Sequence, residues 1–280
     1  MRLGIFSKTF PGGEPQAVFA QVKAAGYSVV QHNMECCGLP SMPDEIPEGT
    51  AEAIRAAAAA NGVEIAANSA TYNMAHPDAA VRALGLSRLK LLASIARPMG
   101  TRMLTLCTGT LDPDNMWRRH PDNDSPEAWR LMLSSMEEAV AVAGEYDLEL
   151  GVEPELANIV SSAERARRLI NELQSPRIRI ILDAANLFEL GSLERQRAIV
   201  QAGIELLADR ISIAHAKDRT PDGRFTTAGK GVVDYPHYLR CLTKAGFHGP
   251  LIAHGLSAAE APGVARFLAQ AYEASAISAR

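Results

Sequence analysis

The sequence predicts an α/β protein built as a single (β/α)8 TIM barrel, and three observations predict it. Short runs rich in aliphatic and β-branched residues alternate with longer amphipathic or Ala-rich runs from end to end, the pattern of parallel strands joined by helical crossovers. Eight strand runs fall within 280 residues, close to the roughly 250 residues typical of one such barrel. No Gly-x-Gly-x-x-Gly follows the first run, where an open sheet holding a dinucleotide would need it against the pyrophosphate. One domain over residues 1–280 is therefore expected, with no linker or repeat dividing it.

The expected strands are Leu3 to Ser7, Ser28 to Asn33, Val63 to Ser69, Arg102 to Cys107, Leu148 to Glu153, Ile178 to Asp183, Ile211 to His215 and Pro250 to His254. Helices are expected after each. Ala56 to Ala60 is strong helix former, and Asn61-Gly62 closes that helix because Gly tolerates the left-handed C′ position. Ser125 before Pro126 fits an N-cap with Pro in the first turn. Ser161-Ser-Ala-Glu164 and Ser257-Ala-Ala-Glu260 fit the capping box, where Ser and Glu satisfy free N–H groups reciprocally. Asp234 is placed to cap the helix after the seventh strand.

Composition narrows the function classes. Hydrophobic residues make up 47% and charged residues 21%, which is globular rather than disordered composition. The formal charge of −4 gives no general attraction to nucleic acid or anionic membrane. Cys36, Cys37, Cys107 and Cys241 contain no C-x-x-C pair, so neither a zinc knuckle nor a disulfide framework is suggested. They read as reduced thiols of a cytoplasmic protein. The N-terminus has no long apolar stretch of the signal-peptide kind, and no window reaches the length of a membrane span.

Strand ends carry the chemistry in such a barrel, because they converge at its C-terminal mouth. The last four strands end in Glu153, Asp183, His215 and His254, spaced by about one βα unit each. Carboxylate and imidazole together suit one divalent ion such as Mn²⁺, Zn²⁺, Co²⁺ or Fe²⁺ better than Mg²⁺. The alternative is four unrelated polar residues near strand ends.

On the pieces Gly151-Val-Glu-Pro-Glu155, Leu182-Asp-Ala-Ala-Asn186, His215-Ala-Lys-Asp218, Gly229-Lys-Gly231 before Asp234-Tyr235, and Gly249-Pro-Leu-Ile-Ala-His254, the chain resembles the xylose-isomerase-like sugar phosphate isomerases and epimerases. Ketose 3-epimerases and endonuclease IV enzymes belong to the same superfamily. The first half matches more weakly, through Thr71 to Asp78 and Gly109 to Trp117. The resemblance implies that Glu153, Asp183 and His215 are metal ligands. The fourth ligand in that superfamily is normally Glu, and here it is His254. Ketose 3-epimerases use two metal-bound glutamates on opposite sides of the substrate, so the change bears directly on 3-epimerisation. Asn186 and Asn158 stand where those enzymes tend to have His and Glu substrate contacts.

The implied chemistry is proton abstraction beside a metal-bound carbonyl of a small sugar or sugar derivative. Glu153 would act as base, with Glu155 as a substitute or substrate contact, and Lys217 would stabilise the ene-diolate. Isomerisation, epimerisation and dehydration all remain open. Further substrate contacts are expected from Asn33, His76, Trp117, Asn186 and Asp218. Each has a structural alternative: His76 as a helix cap or partner of Asp78, and Lys217 with Asp218 as a loop ion pair. On the second strand, Gln31 and Asn33 share one face and His32 the other. Asn33 is expected inward and His32 behind the barrel. The long segment 109–125, with Trp117, Arg118 and Arg119, is expected to form a lid-like active-face loop meeting a sugar face or an anion, or else a solvated loop. Two further classes stay open: a non-catalytic sugar-binding barrel, and a DNA repair enzyme needing several zinc ions and a basic groove that this charge balance does not supply. By analogy a homodimer is expected.

Overall fold

A computed structural model describes residues 1–277. Positions 278–280 of the expected domain lie outside the described residues. In chain order the elements are β1 (Arg2–Phe6), α1 (Pro15–Ala24), β2 (Val29–His32), α2 (Thr50–Asn61), β3 (Glu64–Ser69), α3 (Ala79–Met99), β4 (Met103–Leu106), α4 (Pro126–Glu145), β5 (Glu149–Val152), α5 (Ala163–Leu173), β6 (Ile178–Asp183), α6 (Leu193–Leu207) and β7 (Ile211–Ala216). They continue with β8 (Asp218–Arg219), β9 (Phe225–Thr226), α7 (Tyr235–Lys244), β10 (Pro250–Ala253) and α8 (Ala261–Ile277). Strands β1 to β7 and β10 close into a parallel barrel in the order β1-β10-β7-β6-β5-β4-β3-β2. All eight expected strands are present, with ends differing by at most one residue.

The inside of the barrel is a packed plug rather than a channel. Val29, Ala67, Met103, Ile181, Ile213 and Ile252 form one buried apolar cluster there. Small residues make room for it: a Cβ at Gly151 would lie 2.7 Å from Ile181 Cδ1, and one at Gly4 would overlap Ile252 Cδ1. The larger cluster lies outside, between the strands and the helices, and includes Phe19, Leu89, Leu92, Met136, Leu169, Ile204, Leu239 and Leu268.

Local start and stop signals mostly behave as their chemistry requires. Ser125 accepts from the Ala128 N–H with Pro126 in the first turn of α4, Asp234 accepts from the His237 N–H at α7, and Gly62 ends α2 with φ +60°. Two caps differ from expectation. Ser162, not Ser161, caps α5 and accepts from the Arg165 N–H. Glu260 reaches back to the Ser257 N–H, but the Ser257 hydroxyl donates to Glu260 instead of capping the helix. The β8–β9 hairpin was not expected; its strands of two residues each are too short to leave a periodic signal.

His32 packs behind the barrel, as expected. It is fully buried, edge-on to Phe19 of α1, with Nε2 3.7 Å from Cys37 Sγ and, among the described residues, no hydrogen-bond partner for Nδ1. Burial lowers its pKa from 6.5 to about 3. The unfolded chain therefore takes up a proton near pH 6.5 that the folded chain refuses until about pH 3, so stability is lost as pH falls through that window. About 2 kcal/mol should disappear between pH 7 and pH 5 from this residue. Denaturant unfolding at both values should show a correspondingly smaller loss in His32→Leu; an identical loss in variant and parent would disprove the assignment.

Candidate metal centre

Four donors meet at the C-terminal mouth. Glu153 follows β5, Asp183 ends β6, His215 lies in β7 and His254 follows β10. One ligand atom from each lies within 4.8 Å of the others. Parallel strands with matched registers bring them together: Asp183 pairs with His215 and Ile252 with His215 across the sheet. The side chains point inward at the level where strand pairing ends, above the apolar plug.

A continuous polar ring holds the four in place. His215 Nδ1 lies 3.3 Å from Glu153 Oε1, and Asn186 Nδ2 donates to the same oxygen at 2.8 Å. Lys217 Nζ donates to Asn186 Oδ1 at 2.9 Å and lies 3.5 Å from Asp183 Oδ2. His254 Nε2 lies 2.9 Å from that oxygen, and the two imidazole rings are 4.5 Å apart between centroids. On the far side His215 Nε2 contacts Gln31 Oε1 at 2.8 Å.

Burial would raise both acids, but the neighbouring nitrogen groups outweigh it. His215, His254 and Lys217 hold the Glu153 carboxyl below its ordinary range, and Lys217 and His254 likewise hold the Asp183 carboxyl below its own. Burial and the neighbouring His215 push His254 down, which favours the neutral imidazole. Two carboxylates and imidazole nitrogens on a small buried patch are a fitting donor set for a borderline divalent cation. Glu155 stands apart: burial raises its carboxyl, and its Oε1 has a long contact of 3.4 Å from the Ala157 N–H.

The other residues singled out from sequence divide into two groups. Lys217 and Asn186 join the centre, and Glu155 is buried within electrostatic reach of it. Asn33, His76 and Asp218 are occupied in the fold. Asn33 lies just past β2, where its Oδ1 accepts from the Glu35 N–H and the Ser41 hydroxyl. His76 Nδ1 accepts from the Asp78 N–H, and Nε2 reaches the Pro113 carbonyl. Asp218 is fully buried and accepts from the backbone N–H groups of Arg219, Gly229 and Val233. It thereby folds the Gly229-Lys-Gly231 turn around itself. Asn158 also braces loops, accepting from the Gly109 N–H and donating to the Met116 carbonyl.

The 109–125 segment is internally tied. Arg118 pairs with Asp112, Arg119 with Asp124 and the Leu156 carbonyl, and Asn123 donates to the Ala157 carbonyl. The two arginines expected to meet an anion thus already have carboxylate partners, while Trp117 remains 54% exposed. Gln31, placed on the same face as Asn33 but given no role, contacts the centre; Phe225, on the β8–β9 hairpin, went unnoticed in the sequence, its ring centroid 3.7 Å from Lys217 Nζ and 4.2 Å from Arg219 Cζ. Its only sequence signal was an aromatic in a polar loop.

Fold and site together define a TIM barrel with a cation-compatible donor cluster at the mouth. A family model described as xylose isomerase-like TIM barrel matches residues 19–270, and the chain belongs to that family. No curated protein matches the sequence. Among solved structures, the fold is similar to L-ribulose 3-epimerase, with TM-score 0.78 and 17% identity over 99% of this chain and 96% of that one. It is similar to 3-keto-D-glucoside 4-epimerase from E. coli, with TM-score 0.75 and 15% identity over 96% and 99%. It is also similar to the IolI protein with a bound zinc atom, with TM-score 0.73 and 15% identity over 98% of each. Among the described residues no helix is long and apolar enough to cross a membrane.

Proposed function

We propose that the protein is a divalent-metal-dependent isomerase or epimerase of a small sugar or sugar derivative. The carrying observation is the cluster of Glu153, Asp183, His215 and His254, with donor atoms within 4.8 Å of one another. These four residues would hold one ion, Mn²⁺, Zn²⁺, Co²⁺ or Fe²⁺. Bound there, the ion supplies Lewis-acid polarisation of a carbonyl and its neighbouring hydroxyl. Glu153, whose carboxyl its neighbours hold below the ordinary range, takes the proton from the adjacent carbon at a carboxylate oxygen. Lys217 Nζ, fixed by Asn186, faces the oxygen on which charge develops. Glu155, Asn186 and Trp117 are the side chains left to bind and orient hydroxyls. The named activities of the similar epimerases support this class of substrate.

His254 in place of a second carboxylate supports a narrower reading of the chemistry, in which Glu153 is the one carboxylate base. It also supports the competing reading, a barrel that binds sugar without turnover. Proton exchange separates them. Enzyme loaded with Mn²⁺ or Zn²⁺ should exchange solvent deuterium into an accepted ketose or aldose, followed by NMR. Glu153→Gln should slow that exchange by roughly 10²- to 10⁴-fold, the range of a lost general base. Sugar binding with no exchange in the parent would favour the binding barrel, and equal exchange in the variant would remove Glu153 as base. We further propose one barrel domain over 1–280, working as a homodimer in the cytoplasm without nucleic acid; the four free thiols support a reducing compartment.

A further inference from the structure

Behind His215 lies a polar pair inside an otherwise apolar barrel. Gln31 of β2 and Thr105 of β4 are 5% and 4% exposed, so solvent does not compete for their hydrogen bonds. Gln31 Nε2 donates to Thr105 Oγ1 at 3.1 Å. The other end of the amide, Oε1, faces His215, whose Nε2 lies 2.8 Å away. An amide oxygen accepts and cannot donate, so His215 must carry its proton on Nε2. In the neutral imidazole the lone pair is then left on Nδ1, the nitrogen that faces Glu153 and the other donors. A ligating imidazole is commonly fixed in this way through its second nitrogen.

We propose that Gln31 is a positioning residue that selects the Nε2–H tautomer of His215 and aims Nδ1 at the cation site, with Thr105 anchoring the amide on its far side. The inference rests on the metal reading above. Polar residues inside a barrel plug are costly unless they hydrogen-bond, and Gln31 and Thr105 reach each other across the lumen from strands that are not neighbours in the sheet. A purely structural role would be met as well by an apolar pair, whereas tautomer selection needs an acceptor at this one place.

The test uses Gln31→Met, which keeps the volume and removes the acceptor, and Gln31→Glu, which keeps an acceptor. Zn²⁺ titration should give a dissociation constant weakened roughly 10- to 100-fold in Gln31→Met and largely restored in Gln31→Glu. Imidazole ¹⁵N spectra of the metal-free proteins at mildly alkaline pH, with His215 assigned by loss of its signals in His215→Asn, supply a second readout. The parent and Gln31→Glu should show the Nε2–H form, and Gln31→Met a mixture of both tautomers. Unchanged affinity and tautomer in Gln31→Met overturns the proposal, as does a Gln31→Glu protein that behaves like Gln31→Met. If the parent binds no Zn²⁺, the metal reading fails, and the tautomer comparison alone then decides the role of Gln31.

Discussion

Asp183→Asn is expected to lose the bound metal and to lower turnover by roughly a thousandfold or more, several kcal/mol of transition-state stabilisation. Asp183 is buried and faces both Lys217 and His254, so removing its charge takes this carboxylate contact from both. Asn keeps the shape and one acceptor but removes the anion that balances the ammonium. The same variant should lose the metal's effect on stability. Binding to the folded state at a hundredfold excess over the dissociation constant contributes about 2.7 kcal/mol, roughly 5–10 °C in Tm for a chain of this size. Calorimetry with Mn²⁺ or Zn²⁺, set beside calorimetry with a chelator, should show that rise in the parent and none in Asp183→Asn. An equal rise in both would place the ion elsewhere. The metal-free variant should itself be less stable than the metal-free parent, because Lys217 is left as a buried cation short of a partner.

Much of this centre was legible because strand ends are read reliably from sequence in an alternating α/β chain. Glu153, Asp183, His215 and His254 each stand at the last inward position of a run of aliphatic residues, and the barrel geometry brings them together. What failed was the position of one side chain on β2. Alternation put Gln31 and Asn33 on the same face, and Asn33 was the one expected to meet substrate. The register of β2 against β3 shifts between Val30 and Gln31, and pairing stops at His32. Asn33 has already left the sheet and caps the next turn, while Gln31 takes the inward place. A bulge of this kind depends on the neighbouring strand and leaves no mark in the β2 sequence itself. The 109–125 loop shows a different limit. Its charges were visible, but only tertiary structure tells that Arg118 and Arg119 already have carboxylate partners.

Asp218 carries the second large effect, and it acts on the loop rather than on the ion. Its buried carboxylate accepts three backbone N–H groups, from Arg219, Gly229 and Val233. The turn is wound so tightly about it that a Cβ at Gly231 would overlap the Arg219 carbonyl and Asp218 Oδ1. Asp218→Ala strands these donors at about 1–3 kcal/mol each where they stay buried, so the turn should open instead of keeping its shape. A net loss of about 3 kcal/mol in global stability is expected, with Asp218→Asn losing less because an acceptor oxygen remains. Amide exchange should accelerate across residues 219–233, while β6 and β7 keep their protection. Phe225 covers Lys217 from this loop, and the Tyr235 hydroxyl donates to the Lys217 carbonyl at its far end, so Lys217 loses its setting when the turn opens. Metal stoichiometry should nonetheless hold, because the four donors stand at the ends of the barrel strands and none lies in the loop. Retained metal with turnover reduced roughly 10²-fold is the expected pair of results, the reduction matching the loss of one oxyanion donor. Loss of metal together with the loop would mean that the turn, and not the strand ends, holds the donor cluster in place.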